Sequence, residues 1–146
     1  MPVPILFRDQ WLIVCEKPVG ISSESPGLPD LLREELGRKV WPVHRLDQGT
    51  GGVSVLALSS AACTAVQRLF QQNLVEKEYC AVLTGRPETE SGIFEDLLFY
   101  DRRTHKSYVV SQARKGVKQA RCAWTLCGTV MEKDQALSLV RVFLHT

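Results

Sequence analysis

The sequence predicts an α+β fold with a mixed, mostly antiparallel sheet and two or three helices. Two segments in the first half carry apolar residues at helical spacing, and six or more other segments are short runs of strand-forming residues. In the second half the strand-like runs follow one another without a helical pattern between them. Consecutive strands of this kind pair as antiparallel neighbours, which places the chain in the α+β class.

The first half contains three predicted strands. Residues 11–15 form a short apolar run typical of a buried strand, and residues 17–20 (Lys-Pro-Val-Gly) then favour a turn. Residues 41–46 and 53–58 are the second and third strands. The polar, glycine-rich segment 47–52 lies between them, so we expect a loop that core strands hold on both sides.

Two helices are predicted in the same half. The first carries four leucines on one face and has Gly37 just past its end, where helices favour glycine. Ser59 or Ser60 can cap the second helix, which ends near Asn73. The buried stripe of the second helix consists of Ala62, Val66, Leu69 and Phe70.

The second half is predicted to consist of strands. They cover residues 79–83, 93–100, 107–111, 120–126 and 136–144. No repeat or low-complexity linker interrupts the chain, so one domain over residues 1–146 is expected. The last strand stops among apolar residues, whereas natural chain ends are usually exposed and polar, and we therefore expect a C-terminal truncation.

The overall charge and hydropathy exclude several classes of protein. A net charge of +2 is too small to identify a nucleic-acid binder by total charge, so the positions of the basic residues matter more. No apolar run approaches the roughly 20 residues that span a bilayer. The N-terminus also lacks the pattern of a secretory signal. We expect a cytoplasmic protein without a membrane partner.

The cysteines predict buried free thiols. They are scattered, they show no CxxC pair and no histidine at zinc-finger spacing, and most have apolar neighbours. They are Cys15, Cys63, Cys80, Cys122 and Cys127. No metal site is expected.

The strongest candidate for chemistry is the segment 44–52. It places the carboxylate of Asp47 at a predicted strand end, beside Arg45 and ahead of three glycines. Glycines leave room for a large ligand, and a carboxylate presented in this way can act as a nucleophile or a base. The alternative is a glycine-rich hairpin in which Asp47 caps its own turn. A P-loop is excluded because no Lys-Ser/Thr follows the last glycine.

His44-Arg45-Leu46-Asp47 followed by Thr50-Gly51-Gly52 resembles the HRLD signature of the RluA-type pseudouridine synthases. Three further blocks, at 9–20, 77–85 and 106–120, are similar to family motifs and follow in family order. The resemblance therefore covers nearly the whole chain. Gly51 stands where many members have serine, and the family's T-G-R-x-H-Q-I-R segment, which supplies an active-site arginine, would begin at Thr146.

The resemblance implies an enzyme that isomerises uridine to pseudouridine in structured RNA (tRNA or rRNA) without a cofactor. It implies that Asp47 adds to the sugar or base, or removes a sugar proton, and that Tyr79 stacks on the target base. The alternative for Tyr79 is a half-buried strand tyrosine. The chain would be the N-terminal two-thirds of the catalytic domain, with no S4-like domain. Without the family arginine, this segment alone is expected to be inactive.

Basic residues cluster in one segment, since residues 102–121 contain no Asp or Glu, whereas the charged residues within 76–101 are predominantly acidic. This segregation predicts an arm that contacts RNA phosphates. The alternative is a solvated hairpin whose lysines prevent edge pairing. The residues assigned to substrate binding are His44, Arg45, Thr50, Arg102, Arg103, Lys106 and Lys118. His44 has a second interpretation, as a hydrogen-bonded structural residue.

Two other functions stay open beside the enzyme. One is an inactive RNA-binding protein that retains the fold. The other is a carboxylate-dependent hydrolase, which would need a second acid or a histidine base that the sequence does not make evident. No obligate protein partner is evident.

Overall fold

The computed structural model describes residues 2–104 and 106–145. Thr146, where the family's arginine segment would begin, lies outside the described residues, as do Met1 and His105. The chain divides into two compact units, Met1–Leu74 and Val75–Thr146. The α+β class is confirmed: helices and antiparallel strands make up the described residues, and the strands form two sheets.

The first unit has a four-stranded sheet of order β1-β2-β4-β3, in which all pairs are antiparallel. Its elements are β1 (Ile5–Arg8), β2 (Leu12–Lys17), α1 (Leu28–Leu36), β3 (Trp41–Pro42), β4 (Gly52–Ala57) and α2 (Ser60–Gln71). The sequence pattern does not predict the edge strand β1, whose Leu6 and Phe7 are exposed.

The helices cover opposite faces of this sheet. Helix α1 ends at Gly37, whose left-handed φ of 64° suits glycine, and it packs on the face that presents Ile13 and Leu56. Helix α2 begins at Ser60 and is capped by Ser59, whose hydroxyl accepts the Ala62 N–H, and it packs on the opposite face. Alternation along the strands divides their apolar residues between two cores. Both predicted helices are confirmed.

Strand β3 is shorter than the sequence predicts. It ends at Pro42, whereas the pattern predicts a strand over residues 41–46. Proline has no N–H to continue the ladder, and the chain leaves the sheet edge after it. Residues 43–46 therefore approach Asp47 as irregular backbone.

The second unit is a five-stranded antiparallel sheet of order β5-β9-β8-β6-β7. Its strands are β5 (Lys77–Thr84), β6 (Ser91–Asp101), β7 (Lys106–Val110), β8 (Val117–Glu132) and β9 (Gln135–Leu144). The described residues of this unit include no helix. Lys133 and Asp134, with φ of 45° and 66°, join the neighbouring strands β8 and β9 in a two-residue hairpin turn.

The prediction that the cysteines are buried is wrong for two of them. Cys15 and Cys63 are buried in the first unit, but Cys80 and Cys127 are exposed free thiols on the second sheet, and Cys122 is half-buried. Apolar neighbours in sequence do not bury a strand residue, because successive side chains point to opposite faces.

Neither α1 nor α2, the helices found in the described parts of the chain, is long and apolar enough to cross a membrane.

Candidate active site

Asp47 lies in a loop and not at a strand end, which corrects the expectation for this residue. Its backbone carbonyl accepts the Thr50 N–H at 2.9 Å, which closes a turn over residues 47–50. The side chain is exposed. Among residues 2–104 and 106–145 its carboxylate has no hydrogen-bond or ion-pair partner, so it does not cap its own turn as the alternative interpretation requires.

A buried serine holds the residue before Asp47. The Ser23 hydroxyl accepts the Leu46 N–H at 2.9 Å and donates to the Leu46 carbonyl at 2.7 Å. Ser23 and Leu46 are both buried. The backbone that enters Asp47 is thus bound on both sides of the Leu46 Cα.

A second pair of hydrogen bonds, called the brace below, joins the loop to the turn after β2. The Gly20 N–H donates to the Gln48 carbonyl at 2.8 Å, and the Gln48 side-chain amide donates to the Gly20 carbonyl at 2.9 Å. Gly20 has a φ of 89°, a conformation that other residues rarely adopt. Two reciprocal bonds therefore tie the residue after Asp47 to this turn.

Lys17 holds the backbone of that turn by hydrogen bonds from a buried side chain. Its side chain is completely buried, and its Nζ donates to the carbonyls of Pro18 at 3.1 Å and Ile21 at 2.7 Å. A buried ammonium is tolerated only when polar partners surround it, and here backbone carbonyls serve. Lys17 thereby fixes the position of the Gly20 backbone that holds Gln48.

Gly51 allows the turn and the loop to pack closely. A Cβ at this position would lie 2.9 Å from Cγ2 of Val19 and 3.4 Å from the Lys17 carbonyl oxygen. The glycine therefore has a steric role here in addition to any conformational one. Serine at this position would require Val19 to move.

His44 makes structural contacts within the first unit. Its Nε2 accepts the Val55 N–H at 3.0 Å, and its ring stacks on Phe70 with 4.8 Å between centroids. Burial lowers the pKa of His44, which favours the neutral ring that can accept this bond. These contacts support the structural interpretation, while substrate binding by His44 stays a prediction.

Arg45 and Thr50 belong to the same loop. Arg45 is exposed and lies 3.8 Å from the carboxylate of Glu24, which is also exposed, so the ion pair is weak. The guanidinium can therefore exchange Glu24 for an anionic ligand. Thr50 is half-buried and closes the turn through its N–H. The loop brings together four of the predicted site residues: His44, Arg45, Asp47 and Thr50.

Tyr79 belongs to the second unit. It lies on β5 opposite Val142 of β9 and is half-buried. Strand alternation places it on the same sheet face as Ala81, beside an apolar pocket of about 380 Å³. The pocket is lined by Ala81, Leu83, Phe94, Trp124, Val140 and Val142, among others. Tyr79 thus adjoins an apolar surface suited to a flat ring.

The basic segment, residues 102–121, contains β7 and the start of β8, which pair with the two edges of β6. These paired strands are called the basic hairpin below. Lys106 pairs with Asp101 and Lys118 with Leu98, and because these two β6 residues are three apart, the two lysines project from opposite sheet faces. Arg103 contacts Asp101 at 3.9 Å. Arg102, Lys106 and Lys118 form no ion pair within the described part of the chain. The hairpin therefore carries available cations on both faces.

Sequence reasoning missed the roles of two buried polar residues, Ser23 and Lys17. Lys17 belongs to a motif noted for its turn, but only its burial reveals that its side chain donates to the backbone of that turn. Ser23 carries no sequence signal, since its partner Leu46 is 23 positions away. Within the described residues no three His, Cys, Asp or Glu side chains converge to hold a metal ion.

Comparison with known proteins places these motifs in a family. Residues 11–146 match the family model for RNA pseudouridylate synthases. A tRNA pseudouridine synthase C from Haemophilus ducreyi is 37% identical over 93 residues, which cover 58% of this chain and 38% of that protein. An uncharacterized RNA pseudouridine synthase from Haemophilus influenzae is 31% identical over 134 residues, which cover 88% of this chain and 52% of that protein.

The fold agrees with solved structures. Human RNA pseudouridylate synthase domain containing 1 superposes with a TM-score of 0.87 at 22% identity, over 99% of this chain and 60% of that one. Human RNA pseudouridylate synthase domain containing 4 gives a TM-score of 0.77 at 24% identity, over 98% of this chain and 59% of that one. The matched region spans about two-fifths to one-half of the curated relatives described above. Because the family model matches nearly the whole chain, this chain belongs to the RNA pseudouridylate synthase family.

Proposed function

We propose that this protein isomerises uridine to pseudouridine in tRNA or rRNA, with Asp47 as the catalytic carboxylate. The observation that carries the proposal is the state of Asp47: an exposed carboxylate without a partner, on a loop whose backbone is bonded on both sides of it. A rigid backbone that presents a free carboxylate is the arrangement that catalysis by a side chain requires.

The reaction breaks the N1–C1′ bond of uridine, turns the base and forms a bond between C5 and C1′. The C5 proton is lost and N1 gains one, so the product has the atoms of the substrate and no co-substrate is consumed. An ionised Asp47 can add to the sugar or base, or remove a sugar proton.

Tyr79 is assigned to the target base. It is half-buried, it lies at the border of an apolar sheet face, and its ring offers a surface on which a uracil can stack. Its hydroxyl can also assist removal of the C5 proton.

RNA is the proposed partner, and the cytoplasm is the proposed location. A uridine within folded RNA must be flipped out, and the cations of the basic hairpin can hold the surrounding phosphates. Arg102, Lys106 and Lys118 support this role because no acidic side chain in the described chain neutralises them. Arg45 would bind a phosphate near the reacting nucleotide.

The test measures pseudouridine formation in bulk tRNA and rRNA by the intact gene product and by Asp47→Asn, a change that removes the charge and keeps the shape. We expect conversion by the natural protein and none above background by the variant. Asp134→Asn is the matched control, since Asp134 is exposed in the β8–β9 turn with φ of 66°, which asparagine tolerates equally. The control should convert uridine at the natural rate.

The second candidate, an inactive RNA-binding protein, predicts a different result. In that case the intact protein binds RNA and converts no uridine, and Asp47→Asn leaves binding unchanged. Equal loss of conversion in Asp47→Asn and Asp134→Asn would contradict the assignment of the carboxylate.

A further inference from the structure

Ser23 makes both of its hydrogen bonds to one residue, the immediate neighbour of Asp47. Its hydroxyl accepts from the Leu46 N–H at 2.9 Å and donates to the Leu46 carbonyl at 2.7 Å. Ser23 is 5% exposed and Leu46 is 8% exposed, so water does not compete for these bonds. One side chain thus satisfies a buried donor and a buried acceptor on the same residue.

We propose that Ser23 is a positioning residue that sets the orientation of Asp47 through the Leu46 backbone. This inference rests on the proposed function, because it assigns Ser23 a role in the chemistry that Asp47 performs. The Ser23 hydroxyl bonds to the Leu46 backbone and not to the Asp47 carboxylate. Because Ser23 is buried, it is also not available to contact RNA. It therefore acts only through the chain.

The geometry explains how so small a group can control the carboxylate. The Leu46 N–H belongs to the peptide that precedes the Leu46 Cα, and the Leu46 carbonyl belongs to the peptide that leads into Asp47. Fixing both peptide planes fixes φ and ψ of Leu46, and these angles place the backbone nitrogen and Cα of Asp47. On the other side, the Asp47 carbonyl is held by the Thr50 N–H. The carboxylate keeps only its side-chain rotations.

The two Ser23 hydrogen bonds to Leu46, called the clamp below, support a loop that has no strand pairing of its own. Strand β3 ends at Pro42, so residues 43–46 lack strand partners along the approach to Asp47. Without the Ser23 hydroxyl, the buried N–H and carbonyl of Leu46 would both lose their partner, and the backbone would move to recover one. Asp47 would move with it.

The experiment compares Ser23→Ala, Ser23→Cys and Ser23→Thr in the intact gene product. Alanine removes both bonds, cysteine keeps the size but is a weak donor and acceptor, and threonine keeps the hydroxyl. Single-turnover rates of pseudouridine formation and the Kd for RNA are measured at a temperature where each variant is folded. We expect Ser23→Ala and Ser23→Cys to react about ten- to a hundredfold more slowly, in line with the cost of a misplaced catalytic group.

Two further results distinguish positioning from general stability. The RNA Kd of the Ala and Cys variants should stay within about twofold of the natural value, because Ser23 is buried and does not offer a surface to RNA. Ser23→Thr should recover most of the rate. Ser138→Ala is the matched control: Ser138 is also buried, and its hydroxyl also bonds a backbone carbonyl, that of Gly85 at 2.7 Å, in the second unit. It should lose stability but not rate.

A natural single-turnover rate in Ser23→Cys, or a Ser138→Ala rate as slow as that of Ser23→Ala, would overturn the positioning role. If Ser23→Ala does not fold, the Cys and Thr variants still decide the question, since only the hydroxyl separates them in hydrogen bonding. Failure of the proposed function looks different: the natural protein itself would then form no pseudouridine.

Discussion

The Nε2 of His44 lies 3.0 Å from the backbone nitrogen of Val55 and accepts its hydrogen bond. Val55 is in β4, next to Leu56, where the pairing of β3 with β4 stops. The imidazole thus accepts a backbone N–H of β4 beside the point where β3 ends at Pro42. Its ring also stacks on Phe70 of α2. The first residue of the HRLD motif therefore joins the loop that carries Asp47 to the sheet.

This bond requires a neutral ring and predicts a pH effect on stability. Burial lowers the pKa of His44 below its ordinary value of 6.5, so below pH 6.5 the unfolded chain binds a proton more readily than the folded chain. Stability should therefore fall as pH drops below 6.5 and level off once the folded ring is also protonated. Urea unfolding at pH 7.5 and 5.5 should show a smaller loss for His44→Gln than for the natural protein. An equal loss in both would contradict the assignment.

Lys17→Met should destabilise the first unit by about 1–3 kcal/mol, because the carbonyls of Pro18 and Ile21 lose their donor in a buried site. Lys39→Met is the control, since Lys39 is exposed and only lies 5.2 Å from the Trp41 ring centroid. It should cost less than about 1 kcal/mol. Urea unfolding followed by Trp fluorescence checks both, and equal costs would refute the role of Lys17.

Gly51→Ser should cost about 0.5–1.5 kcal/mol, the range for a side chain forced from its rotamer, because Val19 must move away from the new Cβ. Val19 is 70% exposed and has room to do so. In a Val19→Ala background the cost should nearly vanish, which a double-mutant cycle measures. Gly27→Ala is the contrasting variant: its Cβ would meet the backbone oxygens of Ser22 and Glu24, which cannot rotate away. It should be far more destabilising than Gly51→Ser.

The native protein should react with a thiol reagent at Cys80 and Cys127 and not at Cys15 or Cys63. The first two are exposed, whereas burial raises the pKa of Cys15 to about 11 and also raises that of Cys63. Iodoacetamide labelling followed by mass spectrometry gives the order of modification. Rapid labelling of Cys15 under native conditions would show that the core between α1 and the four-stranded sheet opens readily.

Lys106→Ala and Lys118→Ala test which face of the basic hairpin contacts RNA, because the two lysines project from opposite faces. The lysine that binds a phosphate should reduce the slope of log Kd against log salt by about one when removed. The other should leave the slope unchanged. Arg121→Ala serves as a reference, since Arg121 is paired with Glu95 at 3.0 Å. Unchanged slopes for both lysines would place the RNA elsewhere.

The sequence by itself determined the elements that local rules control. Leucine spacing and Gly37 identify α1, the pair Ser59 and Ser60 marks the start of α2, and strand-forming runs identify most of both sheets. These features depend on side-chain period, capping and turn propensity within a few residues. The family and the position of Asp47 in a glycine-rich segment follow from motifs that are also short.

Only the tertiary structure decided how Asp47 is held and which thiols are exposed. The clamp joins Ser23 to Leu46, the brace joins Gly20 to Gln48, and each spans more than 20 positions of sequence. No local pattern encodes such pairs, because a buried hydroxyl or amide is satisfied by whichever backbone group the fold brings to it. Cys80 is exposed for a related reason: which strand face becomes covered depends on the packing of whole elements, and local hydropathy does not specify it.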